Sequence, residues 1–296
     1  MATKKAASTK KTTVKNSAAS KTTIRTVRAD AKPVSASVVR TRKESALPNN
    51  IVNIVFAELV GTFVLTLVAL LTFKETGALY LGLAFTVLTL AVGAVSGAHL
   101  NPALSFGLWT MRRLRSILLP FYWGAQLLGA MLAVIVINWM TNGFLKLNFD
   151  HIWSMDWTVF GAELVATAVF LFGYAAVTSR RELSTGSRAV GIGLSLLVGI
   201  LAGGSLLATV QSSFDTSKWA SVKDIQHSYR VKSVSANPAV SLATTEATDS
   251  SFTGQRSDSK EKMYSRFTAE LVLGTLVGAA LGGNLYLLVA GARRND

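Results

Sequence analysis

Six apolar stretches, each about twenty residues long, constrain the fold of this chain more than any other feature. A helix that crosses the roughly 30 Å hydrocarbon core of a bilayer needs about 20 apolar residues, and these runs lack the alternation of outer-membrane strands. Only three charged residues lie inside them, Glu58, Glu163 and Glu270. We therefore expect an all-α membrane protein with six transmembrane helices. The stretches cover approximately residues 51–73, 78–98, 116–140, 157–179, 189–210 and 267–290.

The charge is concentrated at the N-terminus. The first 50 residues hold twelve Lys or Arg and two acidic residues, whereas charged residues make up only 16% of the whole chain. A segment of this composition cannot bury enough apolar surface to fold, so we expect residues 1–48 to be a disordered basic cytoplasmic tail. Such a tail could contact anionic lipid head groups or nucleic acid. The chain has no cysteine, which excludes disulfides, thiolate metal sites and thiol nucleophiles.

Positive charge also predicts the orientation of the helices. Basic residues near the ends of spanning helices favour the cytoplasmic side, and short basic connections follow the second and fourth spans. We therefore expect a multi-pass protein of the cell (plasma or inner) membrane, surrounded by membrane lipids, with both termini cytoplasmic. The residues on which this depends are Arg112, Arg113, Arg115, Arg180, Arg181, Arg188, Arg293 and Arg294.

The chain contains an internal repeat. AELVGTFVL begins at Ala57 and AELVATAVF at Ala162, and an Asn-Pro-Ala triplet follows the next span in each copy. Three spans separate the copies, so repeat one (49–141) and repeat two (157–292) must be inverted relative to each other, an arrangement that places functional sites near the midplane. Asn is a good helix N-cap and Pro suits the first helical position. We therefore expect two re-entrant half-helices, at about 102–111 and 238–247.

The segment SGAHLNPALSFG, the second NPA triplet and the duplicated AEL helices closely resemble the aquaporin (major intrinsic protein) family, over about residues 51–292. The resemblance implies an aquaporin-like channel domain at 49–292 that assembles as a homotetramer and conducts water or small neutral solutes passively. It places the side chains of Asn101 and Asn237 in the central constriction. It implies that the first turns of the half-helices are shaped by Pro102, Ala103, Pro238 and Ala239. It makes Glu58 and Glu163 buried structural carboxylates that accept backbone N–H groups.

The second triplet departs from the usual family pattern. Val240 stands where most water channels have an Arg, and GIGLSLLVGILAGG with NPAVS resembles the plant vacuolar-membrane (tonoplast) branch. Ungapped alignment gives an aliphatic selectivity filter of Leu81, Ile200, Val234 and Val240, in which Leu83 or Phe85 replaces Leu81 if the register shifts. A ring without donors or positive charge predicts permeation by glycerol, urea, ammonia or hydrogen peroxide besides water. The competing interpretation is a hydrophobic constriction that loses its water and conducts poorly.

The second repeat is also longer. An insertion at about 207–233 is expected on the extracellular side, either as a plain loop or as a lid that brings Arg230 or Lys232 to the pore mouth. Glu270 is expected to be hydrated or paired with Arg266. His99 is interpreted as a loop-packing residue, with a pH gate as the alternative.

Other function classes remain as alternatives. A non-conducting or gated aquaporin-like scaffold would use the tail and the insertion, and a secondary transporter would need coupling-ion ligands, for which the chain shows no obvious set. We expect no enzymatic activity, no cofactor and no metal, because no nucleophile–base pair, metal-ligand spacing or phosphate-binding loop stands out. Gly274, Gly278 and Gly282, spaced four apart, indicate close helix packing instead.

Overall fold

The structure is a computed structural model that describes residues 47–72, 77–215, 221–253 and 261–291, without the side chain of Lys223. Nearly all of the predicted basic tail lies outside the described residues, as do the C-terminal residues Arg293 and Arg294. Part of the predicted insertion, 216–220, lies outside them as well.

Six of the described helices are long and apolar enough to cross a membrane, as the sequence predicts. In chain order the helices are α1 (Ile51–Leu71), α2 (Gly77–Ser96), α3 (Pro102–Thr110), α4 (Leu119–Met140), α5 (Trp157–Ser179), α6 (Thr185–Ser212), α7 (His227–Arg230), α8 (Pro238–Ala243), α9 (Ser250–Thr253) and α10 (Ala269–Val289). The spanning helices are α1, α2, α4, α5, α6 and α10. The protein is therefore an all-α membrane protein whose two halves each contribute three spanning helices and one short helix that begins at an NPA triplet, α3 or α8.

Helix α6 is longer at both ends than the apolar run predicts. It begins after Ser184, whose hydroxyl accepts a hydrogen bond from the Ser187 amide and so caps the first turn. It continues to Ser212, so residues 207–212 of the predicted insertion belong to this helix rather than to a loop. The helix extends beyond the apolar run because polar residues of its last turns are bound by the chain that follows. The side-chain amide of Gln211 donates to the carbonyls of Ser228 and Val231.

The two short helices begin at the NPA triplets. In α3 the side chain of Asn101 accepts hydrogen bonds from the amides of residues 103 and 104, and in α8 Asn237 does the same for residues 239 and 240. Helix α8 ends at Ala243, four residues before the predicted boundary. The chain leaves the helix there because Thr245 forms an antiparallel bridge with Ser265, in the segment that leads into α10.

Glycines allow the spanning helices to pack closely. A Cβ atom at Gly278 or Gly282 of α10 would overlap a backbone carbonyl of α5, at Leu164 and Ala168 respectively. The glycine row in the last span is thus a helix-packing surface, as the sequence predicts. In the first repeat Gly129 of α4 packs in the same way against α1.

One end of the helix bundle carries most of the connecting chain, and we call it the loop-rich side. It comprises the described residues 141–156, 213–215, 221–236, 244–253 and 261–268. A short parallel pair of strands, β1 (Leu147–Asn148) and β2 (Met263–Tyr264), joins two of these connections. The core between the repeats includes Phe85 of α2 and Phe170 of α5, whose rings meet edge to face at 5.9 Å.

Candidate functional site

The two half-helices meet through their capping asparagines. The amide nitrogen Nδ2 of Asn101 donates to the carbonyl of Ala236 at 2.7 Å, and Nδ2 of Asn237 donates to the carbonyl of Leu100 at 3.0 Å. Each asparagine therefore binds the residue that precedes the other asparagine. A side-chain amide carries two N–H groups, so one on each asparagine is used by this reciprocal bond.

The residues before the asparagines have an unusual backbone. Leu100 has φ of 50° and Ala236 has φ of 51°, the left-handed region that residues other than glycine rarely adopt. Such a conformation costs about 1–3 kcal/mol and persists only where the surroundings fix it. Here it turns each carbonyl towards the opposite asparagine.

In the first repeat the surroundings are provided by Glu58, which is fully buried in α1. Its carboxylate accepts hydrogen bonds from the amides of His99 at 2.9 Å and Leu100 at 2.7 Å, and from the hydroxyl of Ser96 at 2.6 Å. The side-chain amide of Gln126 donates a fourth bond at 2.9 Å. All four donors are neutral, and together they satisfy a carboxylate that would otherwise be costly to bury.

In the second repeat Glu163 of α5, which is also fully buried, supports the backbone before Asn237 in the same way. Its carboxylate accepts from the amides of Ser235 at 2.9 Å and Ala236 at 2.8 Å. The next donor is the guanidinium of Arg266, whose Nη2 lies 2.9 Å from Glu163 Oε1. Nη1 of the same guanidinium donates to the carbonyl of Ser233. Arg266 is 5% exposed, so this is a buried ion pair.

Arg266 was not predicted at this site, and its expected pairing with Glu270 is wrong. Glu270 Oε1 instead contacts Nε2 of His227 at 2.8 Å. No spacing rule links Arg266 to Glu163, which lies 103 residues earlier in the chain. The available signal was weaker: a lone basic residue directly before an apolar span, at the membrane side on which the Glu163 helix begins.

A cavity of about 470 Å³ lies on the loop-rich side next to the meeting point. The structure brings together at this cavity the four residues of the predicted filter, which are Leu81, Ile200, Val234 and Val240. Arg266 also lines it. The four filter residues thus form an aliphatic part of a wall that also carries Ser and Thr side chains and two cations, Lys232 and Arg266, whereas the sequence predicted an aliphatic ring without positive charge.

The alternative register for α2 does not reach this cavity. Leu83 is 55% exposed on the outer surface of the bundle, where lipid would contact it, and Phe85 is fully buried against Phe170 in the core. Neither side chain lines the cavity, so Leu81 is the residue of α2 that the geometry favours.

The two basic residues of the insertion have different positions. Lys232 lines the cavity, and its ammonium group lies 4.8 Å from the ring centre of Tyr229 and 4.5 Å from that of Phe252. Arg230 instead pairs with Asp249 at 2.7 Å. Of the two cations considered for a lid, only Lys232 is at the mouth of the cavity.

His99 is buried beside the first triplet. Its ring stacks on Tyr122 with centres 4.3 Å apart, and its Nδ1 lies 3.1 Å from the hydroxyl of Ser105. These contacts fit the interpretation of His99 as a loop-packing residue.

The fold and this site define a class: a membrane protein built as an inverted repeat, in which two capped half-helices meet in the membrane through paired asparagines. The sequence profile of the major intrinsic protein family matches residues 49–210, and the chain belongs to this family.

Known proteins agree with this assignment. Aquaporin Z of Photorhabdus laumondii is 36% identical over 168 residues, which cover 48% of this chain and 72% of that protein. Aquaporin NIP2-3 of Zea mays is 36% identical over 118 residues, which cover 40% of this chain and 37% of that protein. Among solved structures, the aquaglyceroporin from Plasmodium falciparum matches 82% of this chain and 96% of its own, with a TM-score of 0.50 and 21% identity. The last match shows a shared fold.

Proposed function

We propose that the protein is a passive transmembrane channel for water and small neutral solutes. The observation that carries this proposal is the reciprocal bond between the half-helix starts, from Asn101 to Ala236 and from Asn237 to Leu100, beside a cavity that opens on the loop-rich side. Membership of the major intrinsic protein family and similarity to aquaporins support it.

The central site suits a water molecule better than a cation. Each asparagine keeps a second amide N–H with which it can bind the oxygen of a passing molecule. A helix N-terminus carries about half a positive charge, and here two such ends face the same point. A cation is therefore repelled, while a neutral molecule with an oxygen acceptor is bound briefly and released.

The filter of Leu81, Ile200, Val234 and Val240 offers methyl groups and no donors. We infer that it admits glycerol, urea, ammonia or hydrogen peroxide as well as water. The guanidinium of Arg266 adds donors on one side of the cavity, but its charge is compensated by Glu163 at 2.9 Å. It should therefore repel cations less than an arginine without a carboxylate partner.

The wider setting follows from the same family. From the family we infer a homotetramer in the cell (plasma or inner) membrane. We infer that both termini are cytoplasmic, because the basic connections 111–115 and 180–188 lie opposite the loop-rich side. The basic tail contacts anionic lipid head groups or nucleic acid. We infer from Val240, in place of the usual Arg, that the filter resembles that of the plant vacuolar-membrane branch.

Stopped-flow light scattering on proteoliposomes tests this proposal. Vesicles containing the purified full chain should shrink faster than protein-free vesicles in an impermeant osmolyte. They should then re-swell faster when the osmolyte is glycerol or urea. Rates equal to those of protein-free vesicles for every solute would refute a channel, and uptake that depends on an ion gradient would indicate a transporter.

A further inference from the structure

Three segments of the loop-rich side bring two histidines and a glutamate together. His151 lies in the connection between α4 and α5, His227 begins α7, and Glu246 follows α8. The nitrogen Nδ1 of His151 is 3.2 Å from Glu246 Oε2, and Nδ1 of His227 is 3.7 Å from the same oxygen. The side chain of Glu246 is only 2% exposed, and those of His151 and His227 are 32% and 20% exposed. The cluster is thus partly shielded but reachable from solvent.

The two imidazole rings are held in place from behind. His227 Nε2 lies 2.8 Å from Glu270 Oε1, and Glu270 is fully buried. The ring of His151 stacks on Tyr264 of β2, with ring centres 3.7 Å apart and planes 8° apart. Both Nδ1 atoms face Glu246.

The contact between His227 and Glu246 is poorly explained by the protein atoms alone. The Nε2 atom faces the Glu270 carboxylate at 2.8 Å, and Nδ1 of the same ring faces Glu246. At 3.7 Å the separation between Nδ1 and Glu246 Oε2 is too long for a hydrogen bond. In addition, Glu270 Oε2 is buried without a hydrogen-bond partner among the described residues. The described protein atoms of the cluster therefore leave the contact between His227 and Glu246, and one oxygen of Glu270, without a hydrogen bond.

We propose that His151, His227 and Glu246 form a zinc site on the loop-rich side of the protein. Imidazole nitrogen favours zinc and similar transition metals, whereas sites built for Ca²⁺ or Mg²⁺ use oxygen ligands. Two histidines and one glutamate are an established ligand set for Zn²⁺, with water in the fourth position.

The distances agree with this assignment. Zinc bonds of 2.0–2.2 Å in a tetrahedron give about 3.4 Å between ligand atoms. The two separations to Glu246, 3.2 and 3.7 Å, bracket that value, and the two imidazole nitrogens, which lie within 4.8 Å of each other, would approach to about the same distance when zinc binds. Glu270 then acts as a positioning residue, because a carboxylate on the second nitrogen of a ligand histidine fixes its orientation and raises its basicity.

Occupancy of the site would connect three parts of the loop-rich side that are far apart in sequence. His227 belongs to the segment that continues through Ser233 and Val234 to the second half-helix. Zinc would therefore fix this segment against the connection after α4 and against the chain that leaves α8. The site is separate from the solute pathway. Zinc binding can therefore be tested independently of the proposed channel activity.

Zinc binding is measured by isothermal titration calorimetry on the chelator-treated full chain in detergent, with ZnCl₂ as titrant and MgCl₂ as the comparison. We expect one Zn²⁺ per chain and no Mg²⁺ binding at the same concentrations. The background is low because the chain has three histidines and no cysteine, and the third histidine, His99, is buried. X-ray absorption at the zinc edge should then show two imidazole ligands.

His151→Ala should abolish one-to-one binding, and it is the preferred variant because it leaves the contact between His227 and Glu270 intact. Glu270→Gln should weaken binding about 10–100-fold, as expected for a residue behind a metal ligand. Asp150→Asn is the matched control, since Asp150 adjoins His151 but its carboxylate faces Lys262 at 3.0 Å. Size-exclusion profiles without zinc establish that each variant is folded.

The proposal is overturned if the wild-type chain binds no zinc. It is equally overturned if His151→Ala binds as tightly as the wild type, or if Mg²⁺ competes at the same concentration.

Discussion

Replacement of Arg266 by leucine should destabilise the protein strongly, because it removes the cation from a buried ion pair. Glu163 is fully buried and Arg266 is 5% exposed, so water cannot substitute for the guanidinium. The Glu163 carboxylate would keep only its bonds from the amides of Ser235 and Ala236. Loss of one partner from a buried pair costs about 3–5 kcal/mol. For a domain of this size that corresponds to a decrease in Tm of roughly 6–20 °C.

The measurement is the apparent Tm of the purified chain in detergent, from intrinsic fluorescence or from size-exclusion recovery after heating. The substitution is made in the wild type and in a Glu163→Gln background, where removal of the guanidinium leaves no buried carboxylate unpaired. In that background Arg266→Leu should have a much smaller effect. The difference between the two effects is the coupling free energy of the pair.

Arg230→Leu provides a matched control on the same side of the molecule. Arg230 is 15% exposed and also donates to the Val222 carbonyl, but its partner Asp249 is 63% exposed, so water can solvate the carboxylate that remains after the substitution. The reasoning is refuted if Arg266→Leu lowers Tm no more than Arg230→Leu does. It is also refuted if the effect of Arg266→Leu is the same with and without the Glu163 charge.

The remaining predictions concern the filter, the central asparagine and the helix packing. Val240→Arg should reduce glycerol and urea flux more than water flux in proteoliposomes, because it adds donors and narrows the cavity; equal reductions would contradict the filter assignment. Asn101→Asp keeps the oxygen that caps α3 but loses the Nδ2 donor to the Ala236 carbonyl, so water flux per folded protein should fall; unchanged flux would contradict the central role of the amide. Gly282→Ala should destabilise the protein by about 1–3 kcal/mol, since its Cβ would overlap the carbonyl of Ala168, whereas Gly161→Ala meets nothing within 4 Å; the two are compared by Tm, and equal values would contradict the packing argument.

Features that depend on neighbouring residues could be predicted from the sequence. The spanning helices follow from the length of the apolar runs, and each half-helix start follows from an Asn cap followed by Pro. Glu58 and Glu163 could be singled out because a carboxylate in an apolar span needs donors. The end of α8 at Ala243 could not, because it is set by pairing with a segment near Ser265.

Features that depend on distant residues could not be predicted. Arg266 reaches Glu163 across 103 residues, and no local pattern specifies that contact. The cluster of His151, His227 and Glu246 draws on three separate connections, so its residues have no metal-ligand spacing in the sequence, and we expected no metal. Composition showed that thiolate ligands were excluded, but it did not exclude a site assembled from imidazoles and a carboxylate.

Only the second repeat uses an arginine, Arg266, to support its half-helix. The reason lies in the different lengths of the connections between the spanning helices and the two asparagines. Four residues separate the end of α2 from Asn101, whereas 24 residues separate the end of α6 from Asn237. By chain statistics the longer connection costs about 1.6 kcal/mol more to close. In the first repeat the end of α2 is itself part of the support, since the Ser96 hydroxyl bonds to Glu58.

In the second repeat the spanning helix α6 ends far from Asn237 in the sequence, and the four-residue helix α7 ends nearer, with six residues between it and Asn237. Arg266, which lies just before α10, binds both the Ser233 carbonyl and Glu163 and so holds the end of the long connection from two sides. Hydrogen bonds to charged groups contribute about 1.5–3 kcal/mol each, enough to offset the closure term. To hold both half-helices equally firmly, the long connection of the second repeat requires the buried guanidinium of Arg266. In the first repeat the neutral amide of Gln126 is sufficient.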